Sequence, residues 1–157
     1  TREVFEEKVL IAGCKEAGAL EALVAAAQAA GWPDPDVHLT TRDDCGHGQA
    51  LAAVEAGAEL VVAAGGDGTV RHVAHALGGT GVDLGIVPIG TANLLAHNLD
   101  LPRTVEGAVE VALTGRARPV DLGIARVDDK ARDLPFVVLG SVSSDGRRGP
   151  RSRDGGS

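Results

Sequence analysis

An α/β domain built on a parallel sheet, with helices on both of its faces, is what this sequence predicts, and three observations carry the prediction. Aliphatic runs (VLIA at 9–12, ELVVAA at 59–64, LGIVP at 84–88) alternate with Ala-rich segments of helical spacing. The runs are apolar at successive positions, as strands covered on both faces are, rather than alternating with polar residues. The Ala-rich segments stop at glycines, Gly31, Gly57 and Gly78, the residue a helix end favours. Strands alternating with helices imply parallel pairing through crossover connections.

The elements follow in order. VLIA reads as a first strand, and in EAGALEALVAAAQAAG the residues Leu20, Leu23, Val24 and Ala27 share one helical face. WPDPD is a turn, with Trp32 as a loop anchor packed on the next strand, and VHLTT (37–41) is a short β-prone run. GQALAAVEAG gives a second helix and ELVVAA a third strand. After GGDG a helix is expected from Thr69 to Gly78. DLGIVPIG reads as a fourth strand and TANLLAHNL as a helix halted at Leu101-Pro102. TVEGAVEVALTG then places Val105, Val109, Ala112 and Leu113 on one face. From about Arg118 the character changes: RPVDLGIARV and LPFVVLGSV read as two strands joined by a charged loop, opening an antiparallel element. The residues from 142 to 157 have no periodicity, are almost wholly Gly, Ser, Arg and Asp, and are expected to be disordered.

Composition narrows the function. The 157 residues suit one domain with a real core, and the 44% hydrophobic content comes from Ala, Val and Leu, with one Trp, two Phe and neither Tyr nor Met. A net charge of -7 argues against nucleic acid as a partner, because phosphate neutralisation needs concentrated basic surface and stacking on bases needs aromatic platforms. Cys14 and Cys45 lack CxxC spacing, so no zinc site or disulfide framework is signalled. No apolar run has the length of a membrane span, and TREVFEEKVL carries acids where a signal peptide would begin basic and then apolar. A cytoplasmic location is the expectation.

Two junctions share a design. ELVVAA runs into Gly65-Gly66-Asp67-Gly68-Thr69, and LGIVP runs into Ile89-Gly90-Thr91-Ala92-Asn93, each between a buried strand and a helix. Ligands of open α/β sheets bind at that edge, where helix N-termini offer unpaired N–H groups and a positive dipole end. Glycines allow close backbone approach, and threonine hydroxyls can cap the helix or bind a phosphate oxygen. This is a phosphate cradle. Asp67 inside it would repel phosphate unless it binds a metal, hydrogen-bonds a ribose or takes a proton during transfer. The sequence has no Gly-Lys pair and no GxGxxG spacing, so neither a Walker loop nor a dinucleotide fingerprint is present. The alternative is a tight turn whose backbone the Asp side chain holds. His72 and His75, three apart, have no third metal ligand at suitable spacing and suit helix packing instead.

GGDGT followed by a helix, then LGIVPIGTANLLAHNLDLP, then RPVDLG resembles the catalytic-domain signature of the diacylglycerol kinase and sphingosine kinase family. The first motif is shared with NAD kinases and 6-phosphofructokinases. The resemblance runs from about Gly31 to Gly123 and implies an ATP-dependent kinase acting on a lipid with a free hydroxyl, Mg²⁺ arriving with ATP. It implies that Gly65, Gly66, Gly68 and Thr69 hold the nucleotide phosphates, that Asp67 positions or deprotonates the acceptor, and that Gly90, Thr91 and Asn93 form the facing wall. Thr41 matches a family threonine near the phosphates, and Asp121 falls at a family position. The implied organisation is an α/β nucleotide-binding domain over 1–117, the truncated start of a β-rich second domain over 118–141, and a tail over 142–157. Transient peripheral contact with the inner membrane face goes with a lipid substrate. The pattern departs from the family in three places: VLIAGCKEAG lacks the usual Asn-Pro, Ala92 replaces a glycine, and Leu94 stands where an acid is common. An NAD kinase-like activity and an inactive nucleotide-binding module remain alternatives.

Overall fold

The structure is a computed structural model that describes residues 8–90, 92–117, 119–120, 123–126 and 133–136. Thr91, Asp121 and the tail from 142, singled out above, lie outside the described residues.

Four strands, β1 (Lys8–Ala12), β2 (Asp36–Leu39), β3 (Leu60–Gly65) and β4 (Asp83–Pro88), form one sheet in the order β2-β1-β3-β4. Every pairing is parallel, with Ala12 opposite both Leu39 and Ala64, and Gly65 opposite Pro88. The continuous apolar runs are explained by cover on both sides. Along β3, Val61 and Ala63 face one core while Val62 and Ala64 face the other, and all four are buried.

The helices divide between the faces as the sequence predicts. On one side α1 (Leu20–Ala29) packs beside α5 (Val105–Thr114), burying Leu23, Ala26, Ala27, Ala108 and Val109. On the other, α2 (His47–Glu55) packs beside α3 (Asp67–Leu77), burying Ala50, Ala53, Val70, Val73, Ala74 and Leu77, with the short α4 (Leu94–Asn98) adding Leu95 and Ala96. The small side chains let the layers close tightly. A Cβ on Gly85 of β4 would lie 2.7 Å from Ala112 Cβ, so α5 rests on bare backbone there. Trp32 is partly buried against the α1 and α5 core together with Val37 of β2.

Several boundaries differ from the sequence reading, each for a local reason. A 3-10 turn, Cys14–Ala19, precedes α1. Helix α3 starts at Asp67 rather than Thr69, an acid being favourable in a first helical turn. Helix α4 is confined to five residues because Asn93 (φ 51°) and Asp100 (φ 56°), both left-handed, bracket it. Beyond α5, β5 (Gly123–Arg126) and β6 (Asp133–Phe136) pair antiparallel, as the two runs after Arg118 suggested. Among the described residues no helix is long and apolar enough to cross a membrane.

Candidate phosphate-binding site

Sheet order locates the site. Strand β1 continues to its β2 side and β3 to its β4 side, so the order reverses between the carboxyl ends of β1 and β3. Open α/β sheets bind ligands at such a switch point. Two pieces of chain leave the sheet there: Gly13 and Cys14 after β1, and Gly66 and Asp67 after β3. The Gly13 N–H donates to the Ala64 carbonyl at 2.9 Å, so the two exits start side by side.

The β3 exit is built from its glycines. Gly65 is buried, and a Cβ on it would lie 3.0 Å from Thr69 Cβ and Oγ1, so the Thr69 side chain folds back over the turn. Gly66 is extended (φ -88°, ψ -170°) and leads into α3 with no side-chain cap. The Val70 N–H makes the first helical bond to the Gly66 carbonyl at 3.1 Å, leaving the amides of Asp67, Gly68 and Thr69 at the open end. Asp67 is half-buried in that first turn, and Gly68 is exposed.

The second junction comes to meet the first. The Ile89 N–H donates to the Gly65 carbonyl at 3.1 Å, extending the β3–β4 ladder past its last strand residues and laying Gly90 on Gly66. A Cβ on Gly90 would overlap Gly66 Cα and lie 3.2 Å from Gly66 N and from Asn93 Oδ1. Backbone therefore touches backbone, and the second glycine motif adjoins the first as one surface with no ligand-wide gap between Gly66 and Gly90. Asn93 fixes the loop: its Nδ2 donates to the Gly90 carbonyl at 2.8 Å, while its Oδ1 is buried without a hydrogen-bond partner among the described residues.

Thr41 lies elsewhere. It follows the edge strand β2, separated from β3 by β1, and is exposed, its Oγ1 accepting from the Asp44 N–H at 3.0 Å. Its neighbour Thr40, which the sequence reading passed over, is buried, and its Oγ1 accepts from the Cys14 N–H at 2.8 Å. Asp44 was also passed over; its Oδ1 accepts from the Gly46 and Gly48 amides, both at 3.0 Å, and organises the start of α2.

The histidines pack between helices. The rings of His47 (α2) and His75 (α3) lie 4.9 Å apart, and the His72 pKa is lowered by burial first, then by Arg71, His47 and His75, with Asp44 opposing. His97 of α4 is exposed beside Arg103, whose Nη2 lies 3.3 Å from its Nε2. Among the described residues no group of three or more His, Cys, Asp or Glu stands where it could hold a metal ion.

A doubly covered parallel sheet whose two glycine turns meet at its carboxyl edge, with an acid in the first turn of the adjoining helix, defines an open α/β domain with an exposed helix start beside its switch point. The sequence carries the assignment further: residues 12–125 match the family model of the diacylglycerol kinase catalytic domain, and the chain belongs to that family. Its relatives include a protein of Cronobacter sakazakii described as "Probable lipid kinase YegS-like", 46% identical over 82 residues, which cover 50% of this chain and 27% of that one. A protein of the same description from Klebsiella pneumoniae is 45% identical over 90 residues, covering 56% of this chain and 30% of that one. The crystal structure of a diacylglycerol kinase from Bacillus anthracis superposes with a TM-score of 0.64 at 26% identity, over 78% of this chain and 46% of that one. The chain thus matches under a third of the length of those curated relatives and under half of that structure.

Proposed function

We propose that this chain is the nucleotide-binding part of an ATP-dependent lipid kinase of the diacylglycerol kinase type. The observation that carries the reading is the backbone contact of Gly66 with Gly90, which merges two glycine junctions into one surface at the N-terminus of α3 with Asp67 at its edge. Gly65, Gly66, Gly68 and Thr69 receive the nucleotide phosphates, Gly90 and Asn93 complete that surface, and Thr91 is assigned to the nucleotide from its place in the sequence motif. In the transfer, the lipid hydroxyl oxygen bonds to the γ-phosphorus as the bond from that phosphorus to the bridging oxygen breaks. ADP leaves, and the hydroxyl proton passes to the Asp67 carboxylate. Phosphoryl transfer asks a protein chiefly for positioning and charge neutralisation, which amides at a helix start supply.

Mg²⁺ fits as a companion of ATP held by the phosphates and water, since the one carboxylate in the turn, Asp67, serves the acceptor hydroxyl. When bound, it neutralises charge on the phosphates. Residues 118–141, containing β5 and β6, open a β-rich second domain that takes the lipid, and the protein works in the cytoplasm with transient contact at the inner membrane face.

Calorimetric titration of the 157-residue chain with ATP and with NAD, each with Mg²⁺, tests the nucleotide half of the reading. Binding of ATP and not NAD is expected. Binding of NAD instead points to an NAD kinase-like activity, and binding of neither removes the cradle. The lipid half is tested by ATP turnover with diacylglycerol vesicles, using a chain extended to the length of its relatives; turnover indifferent to diacylglycerol would overturn it.

A further inference from the structure

Thr40 is buried at the carboxyl edge of the sheet, the one polar or charged side chain that is so among the described residues. A buried hydroxyl needs a partner, and what this one does with its two ends is specific. Its oxygen accepts from the Cys14 N–H at 2.8 Å, across 26 residues of chain. Its own N–H donates to the Ala12 carbonyl at 2.8 Å, continuing the β1–β2 ladder past Leu39. Its methyl carbon points the other way: a Cβ on Gly46 would lie 3.6 Å from Thr40 Cγ2, 3.7 Å from Ile11 Cγ2 and 2.9 Å from Val73 Cγ2. The methyl therefore packs toward the α2 and α3 core, while the hydroxyl faces the turn that leaves β1.

That turn opens at the switch point. Gly13 is bonded to Ala64, one residue before Gly65, and Cys14 begins the 3-10 turn that packs against β3. Without that acceptor the Cys14 amide would be unpaired, and the start of the turn would be held only by the Gly13 hydrogen bond and its packing on β3. We propose that Thr40 is a positioning residue of the nucleotide site: its hydroxyl fixes the β1 exit that forms the wall opposite Gly65 and Gly66. This rests on the nucleotide-binding reading above.

The two ends of the side chain permit a crossed test. Thr40→Val keeps the methyl and the volume but removes the acceptor; Thr40→Ser keeps the acceptor but removes the methyl. ATP affinity with Mg²⁺, the melting temperature and hydrogen exchange at the Cys14 amide are measured on the 157-residue chain and both variants. Thr40→Val is expected to weaken ATP binding about tenfold and to speed Cys14 exchange, and Thr40→Ser to bind within about threefold of the parent even where it melts lower. If affinity simply follows melting temperature across the pair, or Thr40→Val binds ATP as the parent does, the positioning role is overturned and the nucleotide reading survives. If the parent chain binds no ATP, both fall, and Cys14 exchange then reports a purely structural hydrogen bond.

Discussion

Replacing Gly90 by alanine tests the joined-loop arrangement on a single carbon atom. Gly90 has no left-handed φ, so alanine meets no conformational objection there, and any cost comes from packing alone. Carbon atoms pack at about 3.5–4.0 Å. The new Cβ would overlap Gly66 Cα and come within 3.2 Å of Gly66 N. Those are main-chain atoms and cannot rotate away, so the two loops must part by on the order of 1 Å. Overpacking of this kind costs about 1–3 kcal/mol. For a chain of this size that corresponds to a fall of roughly 2–12 °C in melting temperature. Gly66→Ala is the control: its Cβ would sit 3.4 Å from Gly90 Cα and its backbone is already extended, so a loss under about 1 kcal/mol is expected. Thermal unfolding by circular dichroism and ATP titration of both variants give the comparison. A Gly90→Ala protein that melts and binds like the parent would refute the backbone contact and with it the single merged surface.

Three further outcomes follow from the structure. Asp67→Asn, in a chain long enough to turn over lipid, should bind ATP within a few-fold of the parent yet lose transfer by about 100-fold or more, as read by ADP release; preserved turnover would show that the carboxylate takes no proton. Gly46→Ala should destabilise by about 2 kcal/mol in a denaturant titration, since Gly46 has φ 119° and its Cβ would meet Val73 Cγ2 at 2.9 Å; an unchanged midpoint contradicts that geometry. His72 titrates below its ordinary 6.5 in the fold, so as pH falls through that value the unfolded chain binds a proton the native one resists, and stability drops on acidification. His72→Gln should shrink that drop between neutral pH and the native pKa of His72; equal pH profiles for the two proteins would contradict it.

The fold was legible because most of its information is local. Three aliphatic runs, one short β-prone run and glycine-stopped helices marked the strands and helices in order, and Gly31 (φ 106°) and Gly57 (φ 95°) end α1 and α2 as read. The two glycine junctions were also visible as motifs. What a linear reading lacks is distance. That Gly90 lies on Gly66 depends on β4 pairing in register with β3, which no window of sequence encodes. That Thr40 rather than Thr41 turns inward was hidden for a related reason: the adjacent threonines follow an edge strand whose Leu39 is 37% exposed, so no alternation tells which hydroxyl is buried. Sheet order decided it by bringing Cys14 beside Thr40, while Thr41 bonds locally to Asp44. Helix ends moved where single residues ruled, as left-handed Asn93 does before α4.

The strand order also sets a sequence of assembly during synthesis. Strand β2 adds to β1, β3 to the free side of β1, and β4 to β3, so each strand as it emerges finds an edge already waiting. Parallel pairing nevertheless makes each step wait for a whole intervening helix, and β1 acquires its second neighbour only when Leu60 has been made opposite Lys8. At about 5–20 residues per second, that leaves one side of β1 open for several seconds. Of the contacts at the strand ends, that of Gly66 with Gly90 closes last. A nascent chain shorter than β4 would hold much of its core yet lack the joined glycine surface, so that edge is completed late in synthesis rather than accumulating along it.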